Sequence, residues 1–144
     1  MIRITFDTDK VKSIEDQQLL LRLTHCSGSQ FFYTIILKDI GHRIGYCDIR
    51  ASHEDELLFY GNIGYRIDKK YRGHSYAYKA SLLLLEVAKK LNMDYLFITC
   101  SPENIASDKT IQKLKATYIN TLSVPIWHPL FESEKVKKIY RIDL

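Results

Sequence analysis

Ile63-Gly-Tyr-Arg-Ile-Asp-Lys-Lys-Tyr-Arg-Gly-His-Ser-Tyr-Ala77 is the stretch on which the fold turns. It ends a run, Leu58–Ile67, whose apolar and aromatic residues predict a long strand containing Gly61 and Gly64. A glycine inside a strand marks a bulge or a close backbone approach. A short polar loop follows, and Ser75–Leu91 then predicts a helix. Ala80, Leu83, Leu84, Val87, Ala88 and Leu91 recur at steps of three and four residues. Lys79, Glu86 and Lys90 mark a narrow polar face, while Leu82 and Leu85 widen the apolar one, predicting burial on more than one side. A helix N-terminus carries about half a positive charge and up to four unpaired N–H groups. Gly73 and Ser75 are small enough for a ligand to reach the backbone there, and Arg66, Lys69, Lys70 and Arg72 add positive charge. That combination suits a phosphate. Composition and spacing alone fit a solvated basic loop equally well. The stretch lacks the Gly-Lys-Ser/Thr ending of a P-loop and the three glycines of a dinucleotide-binding turn.

Downstream, Tyr95–Cys100 is an unbroken apolar run, expected as a strand covered on both faces. Strand, helix and strand within this span form a βαβ unit with a right-handed crossover. Asn104 is placed to cap a second helix running to Lys115. Thr117–Val124 and Lys135–Ile142 read as closing strands. Upstream, Ile2–Phe6, Leu19–Cys26, Phe31–Leu37 and Ile44–Arg50 read as strands, the last two joined as a hairpin through Asp39–His42. Lys12–Gln18 reads as a loop or short helix, and Ala51–Glu56 as a polar connection.

The 144 residues suit a single domain spanning 1–144, which buries roughly 68–70% of its unfolded surface. Apolar residues make up 46% and charged residues 26%, which excludes a disordered or collagenous chain. The longest purely aliphatic run is Leu82–Leu85, far short of the ~20 residues of a membrane span. The N-terminus shows no secretory pattern, so a cytoplasmic protein with no membrane partner is expected. Cys26, Cys47 and Cys100 are three and widely spaced, which argues against a disulfide framework and for buried thiols. No metal is expected, since no Cys-x-x-Cys or His-x-x-x-His pair exists. A net charge of +4 suits an anionic ligand but is too little to demand nucleic acid.

Arg72-Gly-His-Ser-Tyr-Ala77 resembles the acetyl-CoA-binding motif of the GCN5-related N-acetyltransferases, Gln/Arg-x-x-Gly-x-Gly/Ala. Arg72 falls on its first position, Ala77 on its last, and Ser75 stands where the family usually has glycine. Ser101-Pro-Glu-Asn-Ile-Ala-Ser107 resembles the family's second segment, with Asn104 and Ser107 beside the pantetheine arm. The resemblance covers residues 58–125. It implies an α+β fold: a mixed, mostly antiparallel twisted sheet with a central parallel βαβ unit and flanking helices. It implies acetyl-CoA as co-substrate, with the pyrophosphate on the N–H groups of Arg72, Gly73, His74, Ser75, Tyr76 and Ala77. The pantetheine amides are then expected on the backbone of Tyr65 and Ile67, in a gap between that strand and Tyr95–Cys100.

The implied reaction moves an acetyl group to a primary amine of a small molecule or peptide by direct attack in a ternary complex. The amine must lose a proton and the carbonyl oxygen needs a hydrogen-bond donor. That donor is expected to be a backbone N–H near Tyr65, freed by a bulge. In the family a tyrosine of the second helix often serves as acid, but Ile111 takes that place here, leaving Tyr118 of the next strand as a candidate. Asn62 and Tyr60 are expected on one strand face toward the substrate, with Asn62 also a catalytic candidate. Asp48 lies on a strand where it can point into a substrate cleft. The cluster His53, Glu54, Asp55 and Glu56 reads as a solvated turn, and Trp127 and His128 as a surface loop in the last strand connection, with a place bordering the acceptor site as the alternative. The chain is expected as a monomer or homodimer. Two other readings stay open: a non-catalytic acyl-CoA-binding module of the same fold, motivated by Ser75 and Ile111, and an RNA-binding domain using Tyr65, Tyr71, Tyr76 and Tyr78 as stacking platforms.

Overall fold

A computed structural model of the chain describes residues 7–144; the expected strand Ile2–Phe6 lies outside them. Among the described residues, eight strands and three α-helices follow in the order β1 (Ser13–Glu15), β2 (Leu19–Ser27), β3 (Gln30–Leu37), β4 (His42–Arg50), α1 (Leu57–Tyr60), β5 (Ile63–Ile67), α2 (Tyr76–Lys90), β6 (Tyr95–Cys100), α3 (Ile105–Lys113), β7 (Thr117–Ser123) and β8 (Val136–Asp143). The architecture is α+β. One sheet runs β1-β2-β3-β4-β5 and a second runs β6-β8-β7, every ladder antiparallel.

The hairpins are specified locally. Strand β3 alternates Phe31, Tyr33 and Ile35, all buried, with half-buried partners, so one face meets the core. Gly28 and Gly41 sit at φ +59° and +66°, where tight turns between strands need a residue without a Cβ. The core lies between this sheet and α2, whose Ala80, Leu83, Leu84, Val87 and Ala88 are buried against Leu19, Leu21, Ile35 and Ile44.

Five expectations need correction. Lys12–Gln18 is neither loop nor helix alone, because Ser13–Glu15 pairs with Leu20–Arg22 as a short edge strand. Leu58–Ile67 is not one strand: Leu57–Tyr60 forms a helical turn, ended by Gly61 at φ +76°, and only Ile63–Ile67 is extended. Gly61 is therefore a helix terminator, the conformation glycine adopts most cheaply. Helix α2 buries one face only, since Leu82 remains 40% exposed. Cys26 is exposed, unlike Cys47 and Cys100, because the outer half of β2 projects past the core after a register shift between Leu23 and His25. Strand β6 is not covered on both faces; it alternates buried Leu96, Ile98 and Cys100 with half-buried residues and pairs antiparallel with β8.

Candidate active site

Strand β5 is an edge, and its pairing determines which backbone groups remain open. Arg50 N–H donates to Asn62 O at 2.7 Å and Asp68 N–H to Ile44 O at 2.8 Å, while Gly64 and Arg66 stand opposite Asp48 and Tyr46. In an antiparallel ladder successive residues turn their N–H and C=O to opposite sides. Within β5, Gly64 and Arg66 therefore face β4, and Ile63, Tyr65 and Ile67 turn their N–H and C=O to the open edge. The register is regular throughout, so the expected bulge near Tyr65 is absent. The free N–H comes from the edge instead.

The neighbour across that edge is β6, and one residue joins the two strands. Asn62 N–H donates to Phe97 O at 2.7 Å, and Phe97 N–H donates to Asn62 Oδ1 at 2.8 Å. Asn62 Nδ2 donates to Arg50 O and Ser52 O, each at 2.8 Å. Beyond Phe97 no backbone hydrogen bond joins the strands among the described residues. The expected parallel pair is thus a wedge, closed at Asn62 and open toward Ile67.

At the wide end the loop 68–75 delivers the chain into α2. Arg72 is extended, Gly73 stands at φ +90°, and Ser75 is left-handed at φ 61°. Ser75 makes no side-chain cap on α2; its Oγ accepts from Lys113 Nζ at 3.2 Å instead. The first-turn N–H groups of this 15-residue helix therefore keep their capacity for an anion. Arg72 Nε donates to Ile67 O at 2.8 Å, which fixes the guanidinium beside the end of β5.

These elements surround a cavity of about 430 Å³. Of the residues singled out in the sequence, Tyr65, Ile67, Arg72, Gly73, Ser75, Tyr76, Ala77, Asn104 and Ser107 all line it. Asn104 Oδ1 accepts from Ser107 N–H at 3.1 Å, capping α3. The hydroxyls of Tyr65 and Ser107 meet at 3.0 Å across the floor. Burial pushes the Tyr65 phenol above its ordinary pKa, partly offset by hydrogen bonds to Ser107 and Thr110. It therefore stays protonated near neutral pH. The arrangement can hold a diphosphate at α2 and an extended, amide-bearing arm along β5.

Other expected residues stand apart. His74 does not line the cavity; its ring tilts against Tyr76 at 5.3 Å. Asn62 is fully buried and every polar atom of its amide is engaged, so it faces no substrate. Tyr60 is on α1, not on a strand face shared with Asn62; the Arg50 guanidinium lies over its ring at 5.5 Å, and it borders a second cavity. Tyr118 is 52% exposed, bonded through its hydroxyl to Thr121 and absent from the cavity wall. Ile111 is wholly buried. His128 borders no open site: Leu130 N–H donates to its Nδ1, and its Nε2 meets Glu56 O at 3.0 Å. With Nδ1 accepting, Nε2 carries the proton, and the imidazole braces two loops. His53 stacks on Tyr95 at 4.3 Å.

Sequence reasoning missed Thr110 and Ala106, which line the cavity, each one residue short of Ile111 and Ser107 respectively. It also missed a charged cluster behind α3. Asp108 accepts from Tyr140 and, at 2.9 Å, from Lys138, tying α3 to β8. The Tyr140 hydroxyl, then Lys138, hold the Asp108 carboxyl below the usual carboxylate range. No sequence spacing links residues 108 and 138. Among the described residues no group of three or more His, Cys, Asp or Glu side chains could hold a metal, and no helix is long and apolar enough to cross a membrane.

Residues 4–117 match the family model described as an acetyltransferase (GNAT) domain. No curated protein matches the sequence. Among solved structures, a GNAT-family acetyltransferase from Bacillus anthracis is similar with a TM-score of 0.72 at 17% identity, over 91% of this chain and 98% of that one. A ribosomal-protein-S5-alanine acetyltransferase from Vibrio fischeri gives a TM-score of 0.70 at 12% identity, over 91% and 96%. RimL, a ribosomal L7/L12 alpha-N-protein acetyltransferase in complex with coenzyme A, gives 0.69 at 13% identity, over 90% and 96%.

Proposed function

Since the chain belongs to the GNAT acetyltransferase family, with acetyl-CoA as co-substrate, we propose that it transfers the acetyl group to a primary amine of a small molecule or peptide by direct attack in a ternary complex. The observation that carries this reading is the single cavity joining the uncapped N-terminus of α2 to the open edge of β5. Its volume lies within the usual range for small-molecule sites.

The residues fit the co-substrate. The N–H groups from Gly73 to Ala77 and the Arg72 guanidinium take the pyrophosphate. The outward backbone groups of Tyr65 and Ile67 take the amides of the arm, less the Ile67 carbonyl that Arg72 already occupies. Asn104 and Ser107 form the facing wall. When bound, acetyl-CoA supplies an acetyl group activated as a thioester. The Tyr65 N–H, held at a fixed edge, offers a donor where carbonyl charge develops, at no cost of reorganisation. No side chain of α3 in the register of Ile111 can deliver a proton, and Tyr118 turns to Thr121. Solvent reaching the open cavity supplies it; thiols, with pKa values near 8.5, leave without strong acid help. The names of the Vibrio fischeri and L7/L12 enzymes support a peptide amine as the acceptor.

The test is release of free thiol from acetyl-CoA with a panel of polyamines and short peptides. Amine-dependent release is expected, rising toward alkaline pH as the amine deprotonates. Tight acetyl-CoA binding with no release from any amine favours the acyl-CoA-binding module instead.

A further inference from the structure

We propose that Asp48 is the amine-anchoring residue of the acceptor site, and that the acceptor, a positively charged primary amine, reaches it through the polar cavity between the β2–β3 turn and α1. This rests on the acetyltransferase reading and names the group that receives its second substrate.

The second cavity measures about 570 Å³ and lies between the β2–β3 turn and α1. Gln30 from β3 and Arg50 from β4 line it, with Glu54, Glu56 and Tyr60. Asp48 is not part of that lining; it stands next to Gln30 and Arg50 with its side chain 15% exposed, where Gln30 Nε2 donates to Asp48 Oδ2 at 2.9 Å and Arg50 Nη2 stands 3.3 Å from that oxygen. Both contacts fall on Oδ2, so the other oxygen, Oδ1, is left for a ligand. Its position is set by Gly64: a Cβ built there would stand 2.7 Å from Asp48 Oδ1. Only a residue without a side chain lets the carboxylate lie against β5 at this point. Gly64 immediately precedes Tyr65, whose N–H faces the wedge. One residue of strand rises about 3.3 Å. An ammonium on Oδ1 is therefore one residue along the strand from the donor proposed for the acetyl carbonyl.

The chemistry follows from charge. A carboxylate is an acceptor-only group and binds an ammonium with a charge-assisted hydrogen bond. Glu54 and Glu56, which line the cavity, add negative charge that favours a cation, so the group stays net negative although Arg50 and Asp48 offset each other. In the transfer the amine nitrogen bonds the acetyl carbon and the carbon–sulfur bond breaks. The ammonium first gives one proton to solvent past Asp48, since only the neutral nitrogen can attack; a second nitrogen proton leaves to solvent as the amide forms, and the thiolate takes one proton from solvent.

The experiment compares the native chain with Asp48→Asn, which keeps the side chain's shape, and with Glu54→Gln. The probes are spermidine, a hexapeptide with a free N-terminal serine, and the same peptide acetylated at that amine. Binding is read from backbone amide shifts of Gln30, Arg50 and Gly64, and turnover from thiol release. We expect the native chain to prefer the free-amine peptide over the acetylated one and Asp48→Asn to lose that preference. The amine KM should rise on the order of 10- to 100-fold in Asp48→Asn, with the KM for acetyl-CoA unchanged. A preference that survives in Asp48→Asn, or that disappears in Glu54→Gln alone, overturns the proposal. Native turnover retained within twofold in Asp48→Asn overturns it while leaving the acetyltransferase reading intact. A native chain that turns over no amine overturns both.

Discussion

Asn62 is polar, wholly buried and bonded on every side, which makes it the costliest residue in the wedge to change. Asn62→Ala strands the Phe97 N–H and the carbonyls of Arg50 and Ser52 in the interior. A loss of about 3 kcal/mol in unfolding free energy is expected from urea denaturation, the scale of two or more unpaired buried groups. Arg72 works at the opposite end. Arg72→Glu sets a negative charge against the pyrophosphate, and calorimetry should show acetyl-CoA binding weaker by about 1–3 kcal/mol. Asp108 supplies a pH-dependent prediction. Its folded-state pKa is depressed by Tyr140 and Lys138. Such a group contributes stability that is present above the unfolded carboxylate value, about 3.9, and is lost as pH falls through the folded value. The acid limb of a stability–pH curve should therefore be shallower in Asp108→Asn than in the native chain; an unchanged limb means the cluster carries no such linkage.

At the scale of elements, the helix ends carry the strain. Helix α3 ends at Lys113 with Leu114 as its C-cap, and the residue after the cap, Lys115, stands at φ 61°. That left-handed conformation costs a side-chain-bearing residue roughly 1 kcal/mol, and glycine adopts it freely. Thermal melts should show Lys115→Gly more stable than the native chain by about 0.5–1 kcal/mol, since the lysine side chain makes no ion pair among the described residues. Ser75 has the same conformation at the start of α2, but its hydroxyl is engaged by Lys113. Relief of strain by glycine at that position is offset by loss of this contact, which makes Lys115 the cleaner measurement. Strand β7 shows a different balance. Tyr118 and Ile119 are exposed at the sheet edge, and the strand is held mainly by its ladder with β8.

For the whole molecule, Asn62 hydrogen-bonds the edge of the first sheet to β6 of the second, and α2 covers the first sheet. A ligand filling the wedge bridges β5, α2 and α3 at once. Acetyl-CoA at 100 times its dissociation constant should stabilise the fold by about 2.7 kcal/mol, seen as a rise in Tm. Fragments lacking the pyrophosphate should raise Tm far less, because they leave the N-terminus of α2 and Arg72 unused. An unchanged melting curve at saturating acetyl-CoA would sink both the transferase and the binding-module readings.

The sequence by itself determined the strand–loop–helix around residues 63–77, the cap at Asn104 and the closing strands. Those depend on local patterns: glycine where φ is positive, apolar residues at helical steps, and an N-cap side chain reaching three residues along. The cavity wall from Tyr65 to Ala77 was legible for the same reason, because strand, loop and helix N-terminus are contiguous in the chain. What tertiary structure alone decided was everything that joins distant residues. Leu57–Tyr60 is apolar enough for a strand, yet it turns as a helix because Asn62 must reach Phe97, 35 residues on. The free N–H at Tyr65 comes from the absence of a partner strand, which no residue type announces. In the sequence Asn62 reads as a substrate contact, because a polar residue in an apolar run has two physical explanations, a ligand or a buried partner. Only the position of β6 distinguishes them. Asp48 and Gly64, 16 positions apart, meet through β-sheet register, which is set by the packing of the whole face rather than by either residue.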